Sequence, residues 1–182
     1  MKERNLLIGV GNVLFMDEGV GVYAAKYLEN NYSFDDSLEI MDGGVLGFKL
    51  MALFQEYDNV IILDTVSIED APGSVYRLPA EELLGLGSYR KTAHEVEIVE
   101  MLEICSMLEK MANVVIIGIV PKDIESVKND MTSEILSGFE LFISTALAEL
   151  SALCVQYKKK DNIQIEWVMK NFFKGCSFGN QI

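Results

Sequence analysis

Short, uninterrupted apolar runs are the feature that most constrains how this chain can fold. They lie at residues 5–10, 59–64 and 113–120, and each stops at a glycine, an aspartate or a proline. Apolar runs of this length, without alternating polar residues, are typical of strands that are covered on both faces. The sequence therefore predicts a largely parallel sheet whose central strands are buried.

Segments with a helical spacing of apolar residues separate these strands. The predicted helices cover residues 17–31, 46–57, 95–111 and 135–150. Thr132 or Ser133 is the expected N-cap of the last one. Shorter strands are predicted at 38–41 and 73–78, each next to a glycine turn. Strands that alternate with helices predict a three-layer αβα sandwich, with a mostly parallel twisted sheet between two layers of helices.

The apolar pattern breaks at Lys158-Lys159-Lys160, and this break divides the chain into two predicted parts. Residues 1–157 are expected to form a single α/β domain. Residues 158–182 are treated as a C-terminal extension of unknown structure, in which Ile163, Ile165 and Trp167 alternate with polar residues. An extra strand, a partner-binding segment and a disordered end all remain open for this extension.

Charge and composition exclude several classes of partner. The formal net charge of −13 opposes binding to nucleic acid and to anionic lipid. Apolar runs such as 113–120 are too short to cross a membrane, and residues 1–15 lack an export signal. We therefore expect a cytoplasmic protein, monomeric by default. The three cysteines form no paired framework, and Cys105 and Cys154 are expected to be core residues.

Most standard hydrolase sites are excluded because His94 is the only histidine. A zincin helix needs a second histidine where this chain has Ile98, and Cys105 is too far along a helix to pair with His94. No G-x-S-x-G motif occurs. The segment that begins at Asp64 lacks the glycine of an aspartic protease and occurs once. No conventional nucleophile is left.

Glu18, Asp64 and His94 remain as a candidate set of metal ligands. Each is predicted at or just after the carboxyl end of a strand, where groups from several loops can meet. Two carboxylates and one imidazole suit Zn²⁺, Ni²⁺ or a similar divalent ion, with coordination positions left open.

Structural interpretations of these residues remain open. Glu18, together with Asp17, could complement the dipole of the first helix. His94 could be a first-turn helix residue that is hydrogen-bonded to a loop. Asp64, at the end of an apolar strand, is expected to be part-buried and must find a partner or shift its pKa.

A nucleotide-binding α/β enzyme is the alternative from a different class. The turn from Gly9 to Leu14 begins like a dinucleotide fingerprint, but Leu14 occupies the place of the third glycine. Asp42 could hold a ribose, although it lies further along the chain than the usual spacing.

Residues 9–21, with the sequence GVGNVLFMDEGVG, closely resemble the opening signature of the [NiFe]-hydrogenase maturation endopeptidases. Four further landmarks follow in the order of that family. They are Asp42-Gly43-Gly44 with Gly47, the segment that ends at Asp64, the segment that starts at His94, and Gly118 to Pro121. Together these landmarks span about residues 5–150. Val120 departs from the family pattern, which often carries glutamine before the proline.

This resemblance implies a function and a set of roles. Enzymes of this family remove a C-terminal extension from the hydrogenase large-subunit precursor after nickel insertion, so the precursor supplies the nickel. Glu18, Asp64 and His94 would contact the metal, for which Zn²⁺ or another divalent ion could substitute. Asp64 or Glu18 would act as the base, and Asp42-Gly43-Gly44 would recognise the substrate. A non-catalytic nickel-sensing chaperone for hydrogenase assembly, with the same ligands, is the other alternative.

Overall fold

The structure, a computed structural model, describes residues 3–45, 50–80 and 112–174. In the first range the elements are β1 (Asn5–Val10), a 3-10 helix (Met16–Gly19), α1 (Val20–Asn31), β2 (Tyr32–Phe34) and β3 (Leu38–Gly44). The second range holds α2 (Leu50–Glu56), β4 (Asn59–Thr65) and β5 (Val75–Pro79). The third holds β6 (Asn113–Ile119), α3 (Ser133–Ala152), β7 (Tyr157–Lys159), α4 (Ile165–Asn171) and a 3-10 helix (Phe172–Lys174).

The described strands form a five-stranded sheet in the order β3-β1-β4-β6-β5. The first four strands of this order are parallel, and β5 pairs antiparallel with β6 at one edge. Every residue of β1 and β4 is buried, as the apolar runs predict. The mostly parallel sheet is therefore confirmed, with a single antiparallel strand among those described.

Two hydrophobic clusters cover the two faces of the sheet. On β4, Ile61 and Leu63 face the cluster that contains α1, α3 and α4. Val60 and Ile62 face the other cluster, which contains Phe54 of α2. Because successive side chains of a strand point to opposite faces, one apolar run supplies both cores. This arrangement gives the predicted three-layer sandwich.

A ladder of asparagines crosses the sheet at the amino ends of three strands. The Asn59 amide donates to Asn5 Oδ1 at 2.8 Å, and the Asn113 amide donates to Asn59 Oδ1 at 3.4 Å. These residues are also register partners. A buried amide that finds its partner in the adjacent strand penalises any shift of register, because a shift would leave it unsatisfied.

Residues 158–174 of the C-terminal extension pack on the same fold. β7 pairs antiparallel with β2, and α4 packs against α1. Ile165, Val168 and Met169 of α4 are buried, whereas Trp167 is 54% exposed. Ile165 and Trp167, which alternate in sequence like strand residues, lie on a helix that begins at Ile165.

Several predicted details differ in the structure. β3 runs on to Gly44, so Asp42 and Gly43 lie within the strand rather than after it. Cys154 was expected in the core but is exposed, because it follows α3 at a positive φ of 60°. The predicted helix at 95–111, with His94 and Cys105, lies outside the described residues.

α3 corrects the expectation that no apolar segment is long enough to cross a membrane. By length and composition, its 20 residues meet the test for a membrane span. One stripe of the helix, from Ile135 through Phe142 to Leu150, is fully buried in the first cluster. This stripe packs on the sheet as in the core helix of a globular fold, whereas Leu141, on another side of the helix, is 58% exposed.

Candidate functional site

The carboxyl ends of β1, β3, β4 and β6 meet at one edge of the sheet, and the described site residues lie there. Asp42 pairs in register with Gly9 of β1, and Asp64 pairs with Gly118 of β6. Glu18 belongs to the 3-10 helix, which packs against β4. The structure thus brings three predicted residues to this edge, while His94 lies outside the described residues.

Close backbone contacts hold the first loop over this edge. A Cβ on Gly21 would meet Leu63 O at 2.1 Å and Val10 O at 2.4 Å, so the first turn of α1 lies directly on two strands. Gly11 has a φ of +132°, and a Cβ there would meet Glu18 O at 1.8 Å. Only glycine allows this approach, which holds the backbone of Glu18 against Gly11 at the end of β1.

Asp17, the neighbour of Glu18, is fully buried and anchors this loop. Its Oδ2 accepts hydrogen bonds from the backbone N–H groups of Lys122 and Asp123 at 2.9 and 3.0 Å, and from Thr132 Oγ1 at 2.9 Å. Its Oδ1 accepts one from Thr132 N at 2.7 Å. Four donors compensate for the loss of water around a buried carboxylate.

The Asp17 contacts join two loops, one after β1 and one after β6. Phe15 forms isolated bridges with Val127 and Lys128, and Met16 N donates to Lys128 O at 2.9 Å. Thr132 stands at the N-cap of α3, as predicted, but its hydroxyl donates to Asp17 instead of capping the helix. Thr132, at the N-cap of α3, therefore helps to hold the loop after β1 in which Asp17 and Glu18 lie.

Tyr23 of α1 supports the same pair of loops. Its hydroxyl donates to Asn129 Oδ1 and lies 3.3 Å from Val13 O, a second acceptor. Burial, with a smaller contribution from the charge of Asp130, raises the pKa of Tyr23 to about 12. The phenol is therefore neutral at physiological pH.

Asp64 is the buried carboxylate of the site, with 2% of its surface exposed. Its Oδ1 accepts a hydrogen bond from Thr65 N at 2.7 Å. Along β4 it follows Val60 and Ile62, so it leaves the sheet on the face of the second cluster. The expectation of a buried strand-end carboxylate with a partner is confirmed.

Asp42 lies at the same edge but leaves the sheet on the other face, with Ile40 and α1. It is exposed, and its Oδ1 accepts a hydrogen bond from Gly44 N at 2.9 Å. A cavity of about 170 Å³ opens beside it, lined also by Gly11, Val22 and Phe172. The predicted recognition loop and the predicted ligand Asp64 are thus on opposite faces of the sheet.

The donor chemistry fits a divalent ion only in part. The half-buried Glu18 and the buried Asp64 offer the hard oxygen ligands that such ions accept. Within residues 3–45, 50–80 and 112–174, no three histidine, cysteine or acidic side chains cluster closely enough to hold a metal. A third ligand from the predicted set would have to be His94, so the trio remains a prediction.

Nucleotide binding is disfavoured at this loop. Asp17 and Glu18 occupy the turn before α1, where a phosphate would need positive potential. The close helix–strand contact that the third glycine of a fingerprint provides is made by Gly21, and Leu14 is 52% exposed.

Sequence reasoning missed the residues that hold the site together. Asp17 was interpreted only as a charge at a helix end, and no sequence signal shows that the amides of Lys122 and Asp123 would reach it. The asparagine ladder did have a signal, because each of the three apolar runs begins with asparagine.

Comparison with known proteins gives the family. A family model described as hydrogenase maturation protease (HycI) matches residues 22–149. The chain belongs to the hydrogenase maturation protease family. The Hydrogenase 2 maturation protease of Escherichia coli K12 is 33% identical over 124 residues, which are 67% of this chain and 76% of that protein. HupM of Azotobacter chroococcum, a hydrogenase expression/formation protein, is 28% identical over 80% of this chain and 71% of its own length.

The fold agrees with this membership. The structure of the hydrogenase maturating endopeptidase HybD from E. coli superposes with a TM-score of 0.79 at 29% identity. The match covers 86% of this chain and 98% of HybD. The resemblance seen in the sequence motifs is confirmed. The family model ends at residue 149, so β7, α4 and Phe172 lie beyond the residues it matches.

Proposed function

We propose that this chain is an endopeptidase that removes the C-terminal extension of a [NiFe]-hydrogenase large-subunit precursor after nickel insertion. Membership of the hydrogenase maturation protease family supports this reaction. The observation that carries the site assignment is Asp64, a carboxylate held 2% exposed at the end of a fully buried strand. A carboxyl group buried in such a place needs a functional or structural reason.

Glu18 and Asp64 would recognise the nickel that the precursor carries, with His94 as the nitrogen ligand. Nickel on the precursor would polarise the scissile carbonyl or an attacking water. By reading an ion held by its substrate, the enzyme would fix the scissile bond by proximity and ignore nickel-free precursor. Zn²⁺ or another divalent ion could replace nickel because the ligand atoms are oxygen and nitrogen.

One of the two carboxylates would also act as general base toward water. We assign this role to Asp64, because its burial next to apolar side chains keeps the carboxylate poorly solvated. Glu18, half-buried at the surface of the loop, would then serve mainly as a ligand. Asp42, Gly43 and Gly44 would bind the precursor beside the site.

The test is a processing assay with nickel-loaded precursor, followed by gel electrophoresis. The wild-type chain should shorten the precursor, and Glu18→Gln, Asp64→Asn and His94→Ala should each abolish shortening without unfolding the protein. Full cleavage by all three variants would refute the site. Binding of the precursor without shortening by the wild-type chain would favour the nickel-sensing chaperone instead.

We also propose that the enzyme acts as a monomer in the cytoplasm. A net charge of −13 disfavours self-association, and an exposed free Cys154 suits a reducing compartment. Size-exclusion chromatography and cell fractionation test these two statements.

A further inference from the structure

Phe172, the first residue after α4, stacks on the side chain that supports the loops of the candidate site. Its ring and the ring of Tyr23 have centroids 5.3 Å apart and planes inclined at 81°, an edge-to-face contact. Tyr23 is fully buried, whereas Phe172 is half-buried. The C-terminal part of the chain therefore covers Tyr23 with an aromatic ring.

Tyr23 in turn contacts both loops of the candidate site. Its hydroxyl donates to Asn129 Oδ1 in the loop after β6 and lies 3.3 Å from Val13 O in the loop after β1. A Cβ on Gly19 would meet Tyr23 Cε2 at 3.0 Å, so the ring lies against the residue that follows Glu18. The position of this ring limits how the Glu18 turn can settle on the fold.

The backbone of the Glu18 turn is held by contacts that depend on this arrangement. Four consecutive N–H groups, from Phe15 to Glu18, donate to backbone carbonyls at 2.8 to 3.0 Å. Two of these hydrogen bonds cross to the loop after β6, at Asp123 O and Lys128 O. If Tyr23 shifts, these amides lose their acceptors for part of the time and exchange faster with solvent.

The C-terminal segment is fastened to α1 by contacts that do not involve Phe172. Asn31, buried at the end of α1, binds both backbone groups of Ile163. Its Oδ1 accepts from Ile163 N at 2.6 Å, and its amide donates to Ile163 O at 3.0 Å. α4, with Ile165, Val168 and Met169 buried, then packs against α1. A substitution at Phe172 therefore leaves the segment attached.

We propose that Phe172 is a positioning residue for the reaction, because it holds Tyr23, and through Tyr23 the Glu18 turn, in the arrangement that the site needs. This inference rests on the proposed function, in which Glu18 recognises the nickel of the precursor. Phe172 acts through Tyr23 and not on the reacting atoms. Loss of its ring should therefore slow the reaction without weakening the binding of the precursor.

The first test measures the Glu18 turn without any substrate. Phe172→Leu removes the ring but keeps an apolar side chain. Phe173→Leu is the matched control, because Phe173 is 49% exposed and stacks on Phe172 with centroids 5.4 Å apart. In hydrogen exchange followed by mass spectrometry, Phe172→Leu should accelerate exchange of residues 15–18 about tenfold. Exchange of β4 should not change, which separates local loosening from a general loss of stability.

The second test measures processing of nickel-loaded precursor. Phe172→Leu should lower kcat about fivefold and leave KM within about twofold of wild type. Phe172→Tyr keeps the ring and should therefore retain kcat, as should Phe173→Leu. If Phe172→Leu fails to fold, Phe172→Met takes its place, because methionine fills the space of the ring with a flexible apolar side chain.

Phe172 also lines the two cavities beside Asp42, so contact with the substrate is the competing role. A raised KM with unchanged kcat would assign it that role and overturn positioning. Equal exchange of residues 15–18 in Phe172→Leu and Phe173→Leu would also overturn positioning. Either result leaves the proposed function intact. No shortening by the wild-type chain would overturn the proposed function and, with it, the reaction that Phe172 serves.

Discussion

At the amino edge of the sheet, three asparagines, two of them buried, form hydrogen bonds to one another across the strands, whereas at the carboxyl edge the buried Asp17 takes its donors from the chain beyond the strands. The Asn59 amide finds its acceptor on the neighbouring strand at 2.8 Å. Asp17 accepts hydrogen bonds from backbone groups more than 100 residues away. Hydrogen bonds between neutral asparagine side chains fix the register of the strands without placing a charge at the edge of the sheet. A buried carboxylate can instead hold a loop in place or present a negative charge to a cation.

The carboxyl edge is itself divided. On one side of β4, the loops after β1 and β6 are joined by Asp17 and by the Phe15 bridges. On the other side, Asp42 opens onto cavities. In the proposed function, the joined side would position the reacting groups and the open side would admit the substrate. Variants at the two edges and on the two sides should therefore separate stability, catalysis and substrate binding.

Asp64→Asn should have the largest effect on activity. The substituted amide has the shape of the carboxylate and can still accept the hydrogen bond from Thr65 N, but it cannot act as a base or as an anionic ligand. Processing of nickel-loaded precursor should fall at least about 100-fold. The free energy of unfolding, measured with urea, should change by less than about 1 kcal/mol. A rate within tenfold of wild type would remove Asp64 from the reaction.

Asp17→Asn should lower both stability and activity. In either orientation of the substituted amide, its NH₂ group faces at least one backbone N–H. In the wild-type chain that N–H donates a hydrogen bond to a carboxylate oxygen of Asp17. We expect a loss of about 3 kcal/mol in the free energy of unfolding and a slower kcat, because the Glu18 loop loses its anchor. Urea unfolding and single-turnover processing measure the two effects.

Thr132→Val is the graded control for Asp17. It removes only the hydroxyl donor and keeps the Thr132 N–H donor, so it should cost about 1 kcal/mol. An equal loss from the two variants would show that Asp17 does not act as a shared anchor.

Asn59→Ala should affect the amino edge alone. It leaves Asn5 Oδ1 without its donor from Asn59 and the Asn113 amide without its acceptor on Asn59, at a cost of about 2 kcal/mol. Processing at a temperature well below the unfolding midpoint should remain within about twofold of wild type. A large loss of kcat in a folded variant would contradict the division of roles between the two edges.

Tyr23→Phe should give the smallest effect, and one that depends on pH. The folded protein holds the pKa of Tyr23 at about 12, above the ordinary value of 10.0, so folding favours the neutral phenol. The stabilisation is fully present below pH 10 and is lost as the pH rises from 10 through 12.

The variant should be about 1 kcal/mol less stable at neutral pH, because Asn129 Oδ1 and Val13 O lose the hydroxyl that hydrogen-bonds to them. Its stability should also decline less steeply than that of wild type in the alkaline range. Urea unfolding at pH 8, 10 and 11 measures both. If the free energy of unfolding falls equally steeply with pH in the variant and in wild type, Tyr23 does not carry the pH dependence.

The sheet was predictable because its constraint is local. A strand buried on both faces needs an apolar residue at almost every position, and β1, β4 and β6 show this directly in sequence. Strand ends were also readable, so Asp42 and Asp64 could be placed at one edge before any contact was known. The prediction that these two belong near the same site still had to be refined, because they leave the sheet on opposite faces.

Features that depend on distant contacts were not predictable. Asp17 meets amides that follow β6, and Phe172 reaches the cavities beside Asp42 only because α4 packs against α1. The alternation of Ile163, Ile165 and Trp167 left an extra strand, a partner-binding segment and a disordered end open, and burial of Ile165, Val168 and Met169 at helical spacing decides for a helix. Tertiary packing overrides a short local pattern in such a segment.

The most direct test of the central claim compares one precursor in two states, loaded with nickel and free of nickel, each incubated with the wild-type chain and weighed by mass spectrometry. If Glu18 and Asp64 read an ion held by the precursor, only the nickel-loaded form should lose its C-terminal extension. Equal shortening of both forms would contradict recognition of the metal, and shortening of neither would contradict the proposed reaction.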